Sequence, residues 1–466
     1  MSALRALPRL LVAGMTGGSG KTLVALGLLL ALRRAGVPVR AFKKGPDYID
    51  AAWLSWASAQ PARNLDTFLM AGDTILSSFI GHGVVEGINV IEGARGLFDG
   101  FDAAGTHSTA VLAKHLKAPV VLVVNAAKVT RTAAALVLGC QKFDPQLPVG
   151  GVILNNVNGR RHEQLLRGTI ESTCSIPVVG AIPKAAAGPP LPERHLGLIP
   201  PEEHGDLEEL GRGLLQAVSG FIDLDALVAL ARSAAPLEIV SHEDAELPQA
   251  PDVKIAYLKD SAFSFYYPEN LELLERAGAL LIPISALHAS GLPADLNALY
   301  IGGGFPETHA EALSANRTFL QSIKRAAEEG LPVYAECGGL MLLSRAFLWK
   351  GSRYEMAGVF PFEVEVSATA QGHGYSELQV DTPNPFFPVG STLRGHEFHY
   401  SRIVPRSDWA ATACAVRRGS GCFRGRDAAI IRNVWASYTH LHALATPQWV
   451  KGVADAARRF VVHPAL

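Results

Sequence analysis

The sequence has few of the features that mark secreted, membrane-bound or nucleic-acid-binding proteins. Only 5 of its 466 residues are cysteine, and none of them form a CxxC pair. The sequence therefore indicates neither a disulfide framework nor a zinc site, and it favours a reducing, cytoplasmic setting. Charged residues make up 18% of the chain, the formal net charge is −1, and there is no long basic run. Binding to nucleic acid or to an anionic membrane is therefore not the expected function.

Long hydrophobic runs are also missing. The longest lies near residues 23–32 and is too short to cross a bilayer. The chain is nevertheless rich in apolar residues, which make up 48% of its 466 positions. A chain of this size can bury large cores and is expected to fold as about two to four domains.

Residues 1–240 alternate short apolar runs with longer amphipathic segments. Several of the apolar runs are nearly continuous Val, Ile and Leu, as is typical of strands that are covered on both faces. This alternation predicts an α/β domain with a doubly wound parallel sheet. We predict helices at residues 21–35 and 163–172, and strands at residues 9–13, 39–42, 88–91, 120–124, 151–154 and 178–182.

A second α/β domain is predicted at residues 252–466. It is preceded by a polar, acidic, proline-containing segment at residues 241–251, which we interpret as an interdomain linker. Glycine, proline and aromatic residues become frequent after residue 354, which indicates shorter strands and loops. We predict strands at 254–257, 280–283, 298–300 and 333–335, and helices near 269–276, 319–329 and 447–460.

The segment GMTGGSGKT follows the first predicted strand. Its glycines let backbone N–H groups approach phosphate oxygens, and the helix that begins near Lys21 adds its positive end. Lys21 is expected to reach the β- and γ-phosphates of a nucleotide, and the Thr22 hydroxyl to bind magnesium. Met15 stands where the strict pattern has glycine, so this loop is one residue longer than the standard form. The alternative is a glycine-rich turn with a surface lysine.

Acidic residues follow two of the predicted strands. Ligands of open α/β sheets bind outside the carboxyl ends of the strands, and Glu92 directly follows the predicted strand at residues 88–91. Magnesium takes oxygen ligands alongside phosphates. We therefore expect Glu92, together with Asp47 or Asp50, to supply them.

Two lysines precede these aspartates. Lys43 and Lys44 either neutralise a phosphate or a substrate carboxylate, or form a solvated pair on the surface. The sequence favours the neutralising role only slightly.

Cys337 lies in the segment VYAECGGL, where an apolar run meets two glycines and a helical pattern. This pattern predicts a nucleophile on a tight strand-to-helix turn, with a helix N-terminus that favours the thiolate. A cysteine nucleophile needs a base and an oxyanion hole. The glycines at 302–304 are candidates for the oxyanion hole. Two histidine clusters remain open as the base, His396 with His399 and His440 with His442.

Together these motifs resemble the cobyrinic acid a,c-diamide synthase family, including its hydrogenobyrinic acid counterpart. The resemblance covers nearly the whole chain through the ordered segments AGMTGGSGKT, FKKGPDYID, NLDTFL, VIEGARGLFDG, LPERHLGL, SAFSFYYPENLELL, GGGFPE, YAECGGLMLL, GHEFHYSR and ASYTHLHA. It implies a dethiobiotin synthetase-like P-loop domain followed by a class I glutamine amidotransferase-like α/β domain. It also implies that ATP phosphorylates the c- and then the a-acetate carboxylate of a corrinoid, and that ammonia from L-glutamine displaces the phosphate.

The resemblance also implies roles for individual residues, with ATP and Mg2+ as cofactors and no third glutamate beside the catalytic cysteine and histidine. It leaves a homodimer open. Lys44 and Asn125 depart from the family pattern. The implied assignments are Cys337 and His440 for glutamine hydrolysis; Gly303 and Gly304 for the oxyanion; Gly14, Thr16, Gly17, Gly18, Ser19, Gly20, Lys21 and Thr22 for the nucleotide; Thr22, Asp50 and Glu92 for the metal; and Asp47, Tyr48 and Asp99 for the substrate.

Two other functions compete with this interpretation. One is the same chemistry on another tetrapyrrole such as Ni-sirohydrochlorin. The other is a P-loop regulatory ATPase whose amidotransferase domain has decayed. The joint presence of Cys337, the 302–304 glycines and His440 argues against decay.

Overall fold

The computed structural model describes residues 4–186, 193–194, 197–239, 251–404 and 411–461. The chain divides into two compact units, Met1–Glu243 and Asp244–Leu466. The linker predicted at residues 241–251 lies outside the described residues except for its last position. Within the described ranges, every helix is too short or too polar to cross a membrane.

The first unit is built on a seven-stranded parallel sheet with the strand order β4-β3-β5-β2-β6-β7-β8. The strands of this unit, including the short strands β1, β9, β10 and β11 that lie outside this sheet, are β1 (Leu4–Arg5), β2 (Arg9–Gly14), β3 (Val39–Lys44), β4 (Arg63–Leu65), β5 (Ile88–Gly96), β6 (Val120–Asn125), β7 (Val149–Val157), β8 (Val178–Pro183), β9 (Glu193–Arg194), β10 (Gly197–Leu198) and β11 (Leu237–Glu238). Its helices are α1 (Lys21–Arg34), α2 (Tyr48–Ser58), α3 (Gly72–His82), α4 (Thr109–His115), α5 (Arg131–Phe143), α6 (Arg160–Cys174), α7 (Leu207–Val218) and α8 (Leu224–Arg232).

This sheet confirms the predicted doubly wound architecture. All six residues of the central strand β2 are buried, as are the first five of its neighbour β6. Such continuous burial is expected where helices cover both faces of a parallel sheet. The strand predicted at residues 88–91 is longer in the structure, where β5 continues to Gly96. Glu92 is therefore part of the strand and does not follow it.

The second unit contains a ten-stranded mixed sheet with the order β13-β12-β14-β15-β24-β23-β22-β19-β20-β25, and a four-stranded sheet with the order β17-β16-β18-β21. Its strands are β12 (Val253–Leu258), β13 (Ala279–Ile284), β14 (Ala298–Ile301), β15 (Val333–Glu336), β16 (Ala346–Trp349), β17 (Ser352–Glu355), β18 (Glu363–Val366), β19 (Gly372–Val380), β20 (Thr392–His399), β21 (Ser401–Val404), β22 (Thr412–Arg418), β23 (Arg426–Ile431), β24 (Val434–Ser437) and β25 (His440–Leu441). Its helices are α9 (Pro268–Arg276), α10 (Ala310–Ala315), α11 (Arg317–Glu328), α12 (Gly338–Leu343) and α13 (Pro447–Arg459).

The large sheet curls, and this curl brings distant strands together. β24 pairs in parallel with β15 in the middle of the sheet, and β25 follows β24 after only two residues. Yet β25 pairs with β20, which is at the far end of the antiparallel half. Because so short a connection cannot span the intervening strands, the antiparallel half must return toward β15. The ends of β15 and β25 are therefore neighbours.

Candidate catalytic sites

The glycine-rich segment forms a compact loop between β2 and α1. A Cβ atom at position 14 would lie 2.1 Å from the Ser19 hydroxyl oxygen, and one at position 20 would lie 2.1 Å from the Asn155 amide nitrogen. That nitrogen donates a hydrogen bond of 3.1 Å to the Ser19 carbonyl. The side chain of Lys21 turns back over the loop, with Nζ 3.3 Å from the Thr16 carbonyl oxygen. The loop therefore packs too tightly for side chains at 14 and 20, as a phosphate-binding loop requires.

The three residues predicted to hold a metal gather beside this loop. β2 and β5 are paired, with Val12 opposite Glu92. The Thr22 hydroxyl donates to Glu92 Oε1 at 2.7 Å. Lys43 Nζ lies 3.2 Å from the same Glu92 oxygen and 2.5 Å from Asp50 Oδ2. Lys43 therefore joins Glu92 to Asp50, and Thr22 joins the cluster through Glu92.

Burial controls the electrostatics of this cluster. Glu92 is fully buried, which raises its pKa to about 7 even though Lys43 opposes the shift. Burial alone would lower the pKa of Lys43, but Asp50 and Glu92 outweigh it and hold that pKa above its usual range. Burial and the neighbouring Asp50 raise the pKa of Asp47 to about 6. Glu92 therefore holds a proton near neutral pH that a cation bound to its carboxylate would displace.

The residues at this cluster fit a magnesium ion that takes its other ligands from phosphates and water. Glu92 Oε2 is buried and has no hydrogen-bond partner among the described residues. A carboxylate oxygen beside a hydroxyl is a donor set that Mg2+ accepts. Across the same ranges, no group of three or more His, Cys, Asp or Glu side chains is arranged to hold a metal by itself.

The predicted substrate residues surround the same edge of the sheet. Asp47 caps α2 by accepting the Asp50 N–H at 2.9 Å, and Tyr48 is the first residue of that helix. Asp99 lies beyond the end of β5 and accepts the Gly96 N–H at 2.9 Å. Lys44 is buried, so the alternative of a solvated lysine pair is wrong.

Cys337 occupies a strained turn at the end of β15. Its φ of 47° and ψ of −98° lie outside the regions that non-glycine residues favour, and its N–H donates to the Ser437 carbonyl at 2.7 Å. The expected thiolate is not favoured in this state. Burial, reinforced by the Glu307 carboxylate, raises the pKa of the Cys337 thiol above its usual value.

The glycines at 302–304 bring the predicted oxyanion hole to Cys337. The Gly302 N–H is already bonded to the Tyr266 hydroxyl at 2.8 Å, which leaves Gly303 and Gly304 as the predicted donors. A Cβ at 304 would lie 2.1 Å from the Ala262 carbonyl oxygen. A Cβ at 303 would lie 2.5 Å from His440 Cε1, and one at 338 would lie 3.2 Å from the Gly304 nitrogen. These short distances show that the glycine loop lies next to both the cysteine turn and His440.

The structure places the two histidine clusters side by side, with His396 opposite His440 in paired strands, but it gives their histidines different partners. In His399, Nδ1 lies 2.7 Å from the Ser401 carbonyl oxygen and Nε2 lies 3.5 Å from Glu397 Oε2, so both ring nitrogens are engaged. His396 stacks on His440 with ring centroids 5.0 Å apart. Burial, followed by the neighbouring His440, keeps the pKa of His396 well below its usual value. His440 is the histidine that faces the glycine loop.

His440 has an acidic partner, although the family resemblance implies that no third glutamate accompanies the catalytic cysteine and histidine. Glu336 Oε2 lies 3.4 Å from His440 Nδ1. Glu336 immediately precedes Cys337, but its contact with His440 spans 104 positions, and no sequence spacing indicated it. The sequence did contain one indication of this partner, because Glu336 is an acidic residue that directly follows the apolar strand predicted at residues 333–335 and directly precedes the nucleophile.

Comparisons with known proteins identify a known domain in each half of the chain. Residues 10–199 match the CobQ/CobB/MinD/ParA nucleotide binding domain, and residues 254–448 match the CobB/CobQ-like glutamine amidotransferase domain. A protein of Magnetococcus marinus named cobyrinate a,c-diamide synthase is 42% identical over 96% of this chain and 97% of its own. Proteins with the same name from Syntrophotalea carbinolica and Listeria monocytogenes are 40% and 39% identical, over 97% and 93% of this chain and 99% and 96% of their own.

These matches confirm the predicted combination of a P-loop domain with an amidotransferase domain. They also make the protein a glutamine-hydrolysing ligase. The shared length and identity are those of one family, and the chain belongs to the cobyrinate a,c-diamide synthases.

Proposed function

We propose that this ligase amidates the a- and c-acetate carboxylates of cobyrinic or hydrogenobyrinic acid, with ATP and glutamine as cosubstrates. The observation that carries the proposal is the match over almost the whole chain, at about 40% identity, to relatives that bear this activity in their names. The two clusters described above supply the chemistry that such a reaction needs.

In the first unit, a carboxylate must be given a better leaving group before ammonia can replace its oxygen. The carboxylate oxygen attacks the γ-phosphorus of ATP, the bond to the β-phosphate oxygen breaks, and ADP leaves. Mg2+, when bound, offsets the phosphate charge. Lys21 and the loop N–H groups cradle the phosphates, and the Thr22 hydroxyl and Glu92 carboxylate hold the ion. Asp47, Tyr48 and Asp99 lie at the same edge of the sheet, where they contact the corrinoid.

In the second unit, Cys337 liberates ammonia. His440 accepts the thiol proton as the sulfur bonds to the glutamine amide carbon, and the N–H groups of Gly303 and Gly304 stabilise the oxyanion. The carbon–nitrogen bond then breaks, and the proton from His440 leaves with ammonia. Water cleaves the thioester to glutamate. Ammonia then displaces phosphate from the acyl phosphate and forms the amide.

A donor-switch experiment tests the division of labour. Cys337→Ala should abolish glutamine-dependent amidation and keep amidation with added ammonium salt, because the thiol acts only in forming ammonia. Lys21→Ala should lose amidation with either donor. Cys422→Ala is the matched control, since Cys422 is a buried cysteine of the same unit. Full use of glutamine by Cys337→Ala would disprove the nucleophile, and normal ammonia-dependent turnover by Lys21→Ala would disprove the phosphate site.

A competition experiment tests the substrate. Cobyrinic acid, hydrogenobyrinic acid and Ni-sirohydrochlorin are supplied together, and the products are identified by mass spectrometry. We expect diamides of the corrinoids to dominate. Exclusive diamidation of Ni-sirohydrochlorin would overturn the assignment, and absence of any amidation and glutaminase activity would favour the regulatory ATPase.

A further inference from the structure

We infer that Glu336 positions His440 for catalysis and takes the place of the third glutamate that the family resemblance leaves out. The inference rests on the proposed roles of Cys337 and His440. It assigns the acid of the catalytic set to a residue that directly precedes the nucleophile in the chain.

The orientation of the His440 ring is the first step. Its Nδ1 lies 3.4 Å from Glu336 Oε2, whereas a Cβ at position 303 would lie 2.5 Å from its Cε1 and 3.3 Å from its Nε2. The Nδ1 atom of the ring therefore faces the carboxylate, and its Cε1–Nε2 side faces the predicted oxyanion loop. In this arrangement a carboxylate at Nδ1 orients the imidazole, and Nε2 acts as the base.

The Glu336 carboxylate determines which nitrogen of the His440 ring carries the proton. An ionised carboxylate only accepts hydrogen bonds, so Nδ1 must carry the proton at this contact. Nε2 is then the nitrogen with the lone pair, and it lies on the side of Gly303 and the cysteine turn. Glu336 thus selects the tautomer that can accept the Cys337 thiol proton, and it stabilises the imidazolium that results.

The other contacts of Glu336 fix the carboxylate itself. Oε1 accepts the Leu441 N–H at 3.1 Å and the Tyr334 hydroxyl at 3.1 Å, and the Tyr300 hydroxyl lies 3.4 Å from Oε2. Glu336 is fully buried. A carboxylate in this position is rigid and cannot reach glutamine without moving His440, so its role is to position the base.

A second pair in the same unit shows what a purely structural arrangement looks like. Glu397 Oε2 lies 3.5 Å from His399 Nε2, but the remaining nitrogen of His399 is engaged by the Ser401 carbonyl. Glu397 also accepts the N–H groups of Ser420 and Gly421. The two pairs share burial and composition and differ in where the second ring nitrogen points. Glu397 is therefore the matched control for Glu336.

The test measures glutamine hydrolysis by the full-length variants Glu336→Gln, Glu336→Asp and Glu397→Gln. For Glu336→Gln we expect kcat to fall by about 100-fold or more, because the amide no longer enforces the tautomer or offsets the imidazolium charge. The KM for glutamine should change by less than about threefold, since Glu336 does not touch the substrate. Glu336→Asp should recover kcat to within about tenfold of the parent, because it restores the charge.

The controls separate positioning from folding and from the proposed function. Glu397→Gln should keep the parent kcat, and ammonia-dependent amidation should be unchanged in all three variants. Parent-like kcat in Glu336→Gln, or equal losses in Glu336→Gln and Glu397→Gln, would overturn the inference. Should Cys337→Ala still hydrolyse glutamine, the proposed nucleophile would fail, whatever Glu336→Gln does. An inactive Cys337→Ala beside an active Glu336→Gln would refute only the role of Glu336.

Discussion

At the scale of single residues, Glu92 and Glu336 are both fully buried but differ in their partners. Glu92 lies beside Lys43 and the Thr22 hydroxyl, and one of its oxygens has no hydrogen-bond partner within the described ranges. Glu336 is surrounded by neutral donors and a histidine ring. The first environment suits the entry of a cation, and the second holds a base in place. Burial by itself therefore assigns no role, whereas the set of partners does.

The raised pKa of Glu92 predicts that binding of Mg-ATP releases a proton. The pKa is about 7 in the ligand-free protein, so the carboxyl is mostly protonated at pH 6 and mostly ionised at pH 8. Because Mg2+ binds the carboxylate form, affinity should rise by about tenfold over that interval. Titration calorimetry in buffers of different ionisation enthalpy measures both the affinity and the released proton.

Glu92→Gln provides the comparison for that titration. Its amide does not titrate, so its remaining pH dependence reports the protonation of ATP and of the other titrating groups nearby, such as Asp47. The difference between parent and variant should be the contribution of Glu92. Identical pH profiles for the two proteins would show that Glu92 does not exchange a proton for the ion.

At the scale of elements, strands that are apolar along their whole length were predictable and very short ones were not. β2 is buried throughout and β6 is buried over its first five residues, so each contains a run of apolar residues that the sequence shows. β25 contains only two residues and pairs with β20, and it carries His440. Two residues have no periodicity to detect. The local sequence therefore left both histidine clusters open, and only the family resemblance pointed to His440.

The acidic partner of His440 was unpredictable for a related reason. Glu336 ends β15, and its partner comes back only where the antiparallel half of the sheet curls. That return depends on the packing of many strands and not on local sequence. The pKa of Cys337 was mispredicted because the helix N-terminus is visible in the sequence, whereas the extent of burial and the approach of Glu307 are not.

The phosphate loop depends on an element that lies far from it in sequence. Asn155 in β7 donates to the Ser19 carbonyl and occupies the space beside Gly20. Asn155→Ala should free the loop and raise the KM for ATP by about tenfold, the cost of one buried hydrogen bond. Steady-state kinetics with ammonia as the nitrogen donor measures this effect without the glutaminase.

Gln141→Ala is the control for that measurement. The Gln141 amide also donates to a backbone carbonyl, that of Cys174 at the end of α6, at 3.2 Å, and that carbonyl is not part of the loop. It should leave the KM for ATP unchanged. Equal KM values for Asn155→Ala and the parent protein would contradict the support role of β7.

At the scale of the whole molecule, each unit has its own sheet and its own core. In the second unit, alternate residues of β14 and β15 enter two different apolar clusters. Ile301 and Ala335 join one, and Tyr300 and Tyr334 join the other. Because successive side chains of a strand point to opposite faces, these clusters cover the two sides of the sheet. The first unit likewise buries β2 and β6 within its own seven-stranded sheet. Each unit therefore has the interior it needs to unfold cooperatively.

This division predicts that the two ligands stabilise different transitions in calorimetric unfolding. Full-length Cys337→Ala is used, because it should bind glutamine without hydrolysing it. A non-hydrolysable ATP analogue with Mg2+ should raise one transition and L-glutamine the other. At about 100 times the Kd each gain is about 2.7 kcal/mol, a shift of about 5–10 °C for a unit of this size. Adding Lys21→Ala should remove only the shift caused by the nucleotide, because Lys21 belongs to the phosphate loop of the first unit. One transition raised by both ligands would instead mean that the units unfold together.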